Sequence, residues 1–149
     1  MAPKPGFDNA ADWPAYADPL GRYSVRYPPG WGVMQESADR VSIREPGIQA
    51  ELAIEYAARD CGAAEAELRQ RRLNYYLVGE SSRVIAGRQT AILELRDTVS
   101  NRREFCAFVA GPSVCCQLRW TRPAGSSGQN FESIQEAMLS TFDFITHRS

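Results

Sequence analysis

Tyr23-Ser-Val-Arg-Tyr-Pro-Pro-Gly-Trp31 is the stretch that decides the fold class of this 149-residue chain. On a strand, Tyr23, Val25 and Tyr27 fall on one pleat face while Ser24 and Arg26 take the other. Pro28 and Pro29 lack amide donors and end the ladder, and Gly30 reverses the chain before Trp31. This pattern helps to place the fold, and it carries no chemistry.

The same alternation recurs on both sides of this stretch. The turn Asp18-Pro-Leu-Gly-Arg22 introduces it, and Gly32 to Glu36 continues it as a second extended segment. Val41 to Arg44 alternates up to Pro46-Gly47, and Ala50 to Tyr56 sets Leu52, Ile54 and Tyr56 against Glu51, Ala53 and Glu55. The period then changes. From Asp60 to Val78 there is no proline, and Ala66, Leu73 and Leu77 lie near one helical face with Leu68 and Tyr76 on its flanks. A helix is therefore predicted over residues 61–78, with Asp60 as its N-cap. Glu65 and Arg69, and Glu67 and Arg71, are i,i+4 pairs that account for the Arg69–Arg72 cluster as a solvated face.

Three strands follow as a meander: Arg83 to Ala86 turning at Gly87 into Gln89 to Asp97, then Arg103 to Ala110, then Ser113 to Thr121. On the last, Val114, Cys116, Leu118 and Trp120 share a face opposite Cys115, Gln117 and Arg119. Ser126 and Gln129 have capping-box spacing. Phe131, Ile134, Met138 and Phe142 then form the apolar stripe of a second helix, near 129–141. Strands, helix, strands, helix make an α+β domain with a central antiparallel sheet flanked by helices. Trp31, Leu73, Leu118, Trp120, Ile134 and Met138 are its expected core. Residues 1–14, with three prolines, read as a flexible leader, and 15–146 as one domain.

Composition excludes several function classes. With 17 basic and 18 acidic side chains the net charge is −1, so no bulk field recruits nucleic acid or anionic lipid. No apolar run approaches the ~20 residues of a membrane span. The start Met-Ala-Pro-Lys-Pro-Gly lacks the apolar core of a signal peptide, which points to the cytoplasm unless a leader has been removed. Four cysteines without a C-x-x-C, and a single histidine, His147, near the end, do not make a zinc site. No metal or cofactor is expected.

Three stretches carry a family resemblance: Tyr27-Pro-Pro-Gly-Trp31, Ile85-Ala-Gly-Arg-Gln-Thr-Ala91, and the closing helix Phe131 to Phe142 with its Leu139-Ser-Thr-Phe142 ending. Together they resemble the Mog1/PsbP-like group, including the bacterial DcrB-like and DUF1795 proteins, over residues 16–145. That resemblance implies an α/β/α sandwich and a role as an accessory or binding protein. Members include photosystem subunits, a nuclear transport factor partner, lipoproteins and chaperones of secretion effectors. No set of family functional residues maps onto this chain, and fold alone does not give function.

The residues themselves hold few chemical constellations. No G-x-G-x-x-G, P-loop or calcium-loop spacing is present, and a histidine base at His147 would sit in a tail. Cys61, following Asp60 at a helix start, is the best candidate for a reactive thiol, since helix amides favour a thiolate. The aromatic set Trp13, Tyr16, Tyr23, Tyr27 and Trp31 is the candidate ligand groove, with core packing as the plainer explanation. Cys106 and Cys115 are the candidate thiol pair. If the hairpin closes at Gly111-Pro112 so that Phe105 faces Cys116 and Ala107 faces Val114, then Cys106 faces Cys115. The pair would be reduced in the cytoplasm and bridged after export. The expected function is a non-catalytic accessory or binding domain working through protein contacts, with a secretion-effector chaperone or adaptor as one version. The alternative is a thiol-dependent redox or hydrolytic enzyme using Cys61 or the Cys106/Cys115 pair. A protein partner is expected, and the oligomeric state, a homodimer included, is left open.

Overall fold

The structure, a computed structural model, describes residues 12–47, 50–71, 75–99, 102–111, 114–122 and 128–145. Among these residues ten strands and two helices run in the order β1 (Ala15–Ala17), β2 (Tyr23–Arg26), β3 (Gly32–Gln35), β4 (Arg40–Arg44), β5 (Glu51–Ala57), α1 (Cys61–Arg71), β6 (Tyr75–Ile85), β7 (Arg88–Asp97), β8 (Arg103–Gly111), β9 (Val114–Arg122), α2 (Gly128–Thr141) and β10 (Asp143–Phe144). Seven strands make one antiparallel sheet, ordered β3-β4-β5-β9-β8-β7-β6. The other three make a small sheet, β1-β2-β10. The expected α+β class with an antiparallel sheet and two helices is what the chain adopts.

The large sheet buries both faces. On one, Ile43, Leu52, Ile54, Ile92, Ala107, Cys116, Leu118 and Trp120 meet Ile134, Met138 and Leu139 of α2 and Tyr23 and Val25 of the small sheet. Alternation in β2 does what the opening stretch requires: Tyr23 and Val25 are each 1% exposed, while Ser24 and Arg26 are half-buried. The Arg26 amide donates to Thr141 Oγ1 at 2.9 Å, tying the end of α2 to β2. On the other face α1 covers Leu93, Leu95, Cys106, Phe108 and Cys115 with Leu68, Ala64 and Cys61, residues at i, i+3 and i+7 of the helix. Asp60 caps α1 as expected, its Oδ2 accepting from the Ala63 amide at 3.1 Å.

Several boundaries differ from the sequence expectation. Helix α1 stops at Arg71, and Tyr76, Leu77 and Val78 belong to β6. A β-bulge between Leu77 and Gly79 adds one residue to the strand there. It breaks the period of two that would have marked a strand, so the apolar spacing passes for a helical one. Leu77 is exposed, and the residue that anchors α1 is Leu68, placed on the flank by sequence. Trp31 is half-buried rather than core, whereas Leu118, Trp120, Ile134 and Met138 are buried as expected. The leader assignment overshoots: Trp13 is 2% exposed in the main core, and the Tyr27 amide bonds to the Pro14 carbonyl. Leu73, Ser126 and His147, and the side chains of Arg69 and Phe131, lie outside the described residues.

The β8–β9 register is also corrected. Phe105 and Ala107 share a face with Cys116 and Leu118, but Phe105 pairs with Trp120, Ala107 with Leu118 and Gly111 with Val114. Only residues 112 and 113 separate the strands, and each residue of β8 pairs four positions further along β9 than expected, Phe105 with Trp120 instead of Cys116. A short connection leaves fewer backbone groups unpaired, and that favours the longer ladder.

Candidate binding surfaces

The aromatic set does not line one groove. Trp13 and Tyr23 are packed in the core, and burial pushes the Tyr23 hydroxyl far above its ordinary pKa. Tyr16, Tyr27 and Trp31 are half-buried against the main core. Tyr23 is the hub, with ring centroids 6.2 Å from Tyr16, 6.2 Å from Tyr56 and 5.6 Å from Phe142. Trp31 stacks on Trp120 at 5.9 Å. Beside this cluster Arg22 bonds Asp18 at 2.6 Å and Asp39 at 2.7 Å and lies 4.2 Å over the Tyr56 ring. These contacts hold the small sheet on the large one. The plainer explanation by packing accounts for Trp13 and Tyr23 fully.

The cysteines pair differently from the expectation. Cys61, at the start of α1, is disulfide-bonded to Cys115 on β9, their Cα atoms 5.0 Å apart. Cys106 lies opposite Arg119, and Cys115 opposite Ala110. Cys106 and Cys115 thus share a face but sit four residues apart along the ladder, about 13 Å at strand rise, too far to bridge. The Cys106 thiol is fully buried, 3.5 Å from Glu104 Oε1, and Glu104, 2% exposed, lies 3.2 Å from Arg119 Nε. Cys116 is buried on the opposite face, where loss of solvent pushes its thiol pKa up. The proposed nucleophile Cys61 is therefore held in a bond, and the remaining thiols are shut away from solvent. Sequence could not pair Cys61 with Cys115, because they stand 54 residues apart on different elements.

One concavity lies where no sequence motif pointed. An open groove of about 870 Å³ runs between α2 and the outer strands β6, β7 and β8. Phe105 contributes an aromatic wall, and Arg103 lies over its ring, 5.3 Å from the centroid. Arg103 bonds Glu94 through Nη2 at 2.8 Å and Nε at 3.0 Å, both to one carboxylate oxygen. Arg83 reaches Glu136 of α2 at 3.1 Å across the groove. Ser81, Ser82, Ser133 and Gln135 add hydroxyl and amide groups. Its charges balance, two arginines against two glutamates. The four charged residues come from four different elements, so no local motif announces them. A smaller cavity, about 370 Å³, sits beside α1 between Arg59, Glu67 and Arg119. Among the described residues no cluster of three or more histidine, cysteine or carboxylate side chains is placed to hold a metal, and no described helix is long and apolar enough to cross a membrane.

No protein-family model matches the chain, and no curated protein matches it. Solved structures do. The cyanobacterial PsbP protein of Synechocystis, CyanoP, superposes with a TM-score of 0.67 at 17% identity, over 95% of this chain and 98% of its own. LpqN of Mycobacterium tuberculosis, described as involved in cell envelope biogenesis, gives 0.59 at 10% identity over 91% of this chain and 86% of its own. A Bacteroides thetaiotaomicron protein gives 0.60 at 14% identity over 89% of this chain, which spans only 48% of that protein's length. The fold is thus of the Mog1/PsbP-like type.

Proposed function

We propose that this chain is a non-catalytic accessory domain of an oxidising compartment outside the cytoplasm, and that it binds a protein partner through the groove between α2 and β6–β8. The groove is the observation that carries it: a long open concavity with one aromatic wall and two ion-paired arginines at its floor and rim. Exposed ion pairs such as Arg83–Glu136 contribute little to stability, so both partners are available to an incoming charged segment. The Cys61–Cys115 disulfide supports the compartment, because such bonds persist where glutathione does not keep thiols reduced. It outweighs the cytoplasmic lean of the sequence start. Likeness to CyanoP and LpqN supports an accessory role by fold. A secretion-effector chaperone would place an apolar client segment here; the polar lining favours a charged one instead.

The test is capture from the envelope fraction of the source cell, with the wild type, an Arg83→Glu/Arg103→Glu variant, and Arg59→Glu beside α1 as control. A partner held by the first and third and lost by the second supports the groove. Identical captures by all three would remove it as the binding surface.

A further inference from the structure

Helix α1 is held on its sheet face by little apolar surface of its own. Leu68 is its one buried large side chain among those described, with Ala64 and Cys61 partly buried beside it. Eleven residues are too few for a helix to persist in water without tertiary support. Beneath it lie Leu93, Leu95, Cys106, Phe108 and Cys115, each under a tenth exposed. The covalent bond to Cys115 therefore supplies much of what keeps the cover in place. Cys61 is the half-exposed partner of that bond, whereas Cys115 is only 2% exposed.

We propose that the Cys61–Cys115 disulfide is a reducible latch on α1, whose opening frees the helix and bares the apolar sheet face with the Cys106 thiol. The reductant is a dithiol, such as a C-x-x-C protein or dithiothreitol. Its first thiolate attacks the sulfur of the half-exposed Cys61, and the Cys115 sulfur leaves and takes up a proton. Its second thiolate then attacks the mixed disulfide, releasing Cys61 as a thiol and closing the reductant to its own disulfide. Two electrons and two protons pass to the protein. The latch stands on the face opposite the groove and does not depend on what the groove binds.

The chain carries its own control. Cys106 lies under α1, whereas Cys116 is equally buried under the other layer of the domain. The full-length protein is treated with dithiothreitol under native conditions, and iodoacetamide labelling of each cysteine is followed by peptide mass spectrometry alongside amide exchange. On reduction, Cys106 labelling and exchange over residues 61–71 should rise at least tenfold, while Cys116 and residues 133–141 stay protected. The Cys61→Ser variant should show the same pattern without reductant. If Cys106 stays protected after reduction, packing alone holds the helix and the latch is wrong. Simultaneous labelling of Cys106 and Cys116 would mean global unfolding, which also overturns it. So would four labelled thiols in denatured protein that has never seen reductant.

Discussion

Removing the disulfide should lower global stability by an amount that its position in the chain sets. Cys61 and Cys115 close a loop of 54 residues that contains α1, β6, β7 and β8. In the chain-entropy treatment that loop restricts the unfolded ensemble by about 14 cal/mol/K, or about 4 kcal/mol at room temperature. In a Cys61→Ala/Cys115→Ala variant, loss of the buried Cys115 sulfur adds about 1 kcal/mol. Total stabilities are about 5–15 kcal/mol, so the reduced chain should remain folded with a thin margin, the condition under which a loosened α1 is observable. Urea titration with and without dithiothreitol is the assay. With a slope of about 2 kcal/mol/M the midpoint should fall by roughly 2 M. The oxidised chain should also show the smaller slope, because its unfolded state is more compact. A loss below about 1 kcal/mol, with equal slopes, would refute the entropic reasoning and show that the bond constrains little.

Leu118 is 1% exposed at the centre of the large sheet, opposite Ile54 and Ala107, and Leu118→Ala should cost about 2–5 kcal/mol in the same titration; a loss under half a kcal/mol would contradict its placement. At the β6–β7 turn Ala86 has φ +52° and Gly87 φ +77°, the left-handed pair that favours Asn-Gly. Ala86→Asn should raise the melting temperature by about 2–4 °C, corresponding to roughly 1 kcal/mol, and a fall would show that the methyl's packing matters more than its backbone strain. Burial alone would raise the Asp18 pKa, but hydrogen bonds from Arg22 outweigh it and hold the carboxyl below its ordinary value. A depressed folded pKa contributes stability above the unfolded value near 4, and that contribution is lost as pH falls through the folded one. Arg22→Gln leaves the Asp18 carboxylate buried without its cation, a cost of about 3–5 kcal/mol at pH 7 that should shrink toward pH 3. An equal cost at both pH values would assign the loss to packing instead.

Local chemistry made much of the fold legible. Tyr23 and Val25, Leu52 and Ile54, and Cys116, Leu118 and Trp120 alternate in sequence and are buried in space. Ile134 and Met138 lie in the stripe that α2 buries, and the Ala86-Gly87 turn sits where the glycine placed it. These succeed because strand and helix periods are properties of neighbouring residues. Alternation failed where an insertion interrupts it, at the Leu77/Gly79 bulge. The strands Ala15–Ala17 and Asp143–Phe144 were not foreseen, because at three and two residues they are too short to show a period.

What the sequence by itself determined, then, is the order of the longer elements, most of their inward faces and the antiparallel α+β class, all encoded in the spacing of adjacent side chains. Tertiary structure decided the rest. The β8–β9 register, the Cys61–Cys115 pairing and the groove of Arg83, Glu94, Arg103 and Glu136 each depend on which distant segments meet. The physical reason lies in the pleat: a register shift by an even number of residues keeps every side chain on its own face. Alternation therefore assigned Cys106 and Cys115 to one side correctly, yet only the completed ladder set them four residues apart and left Cys115 to the helix above it.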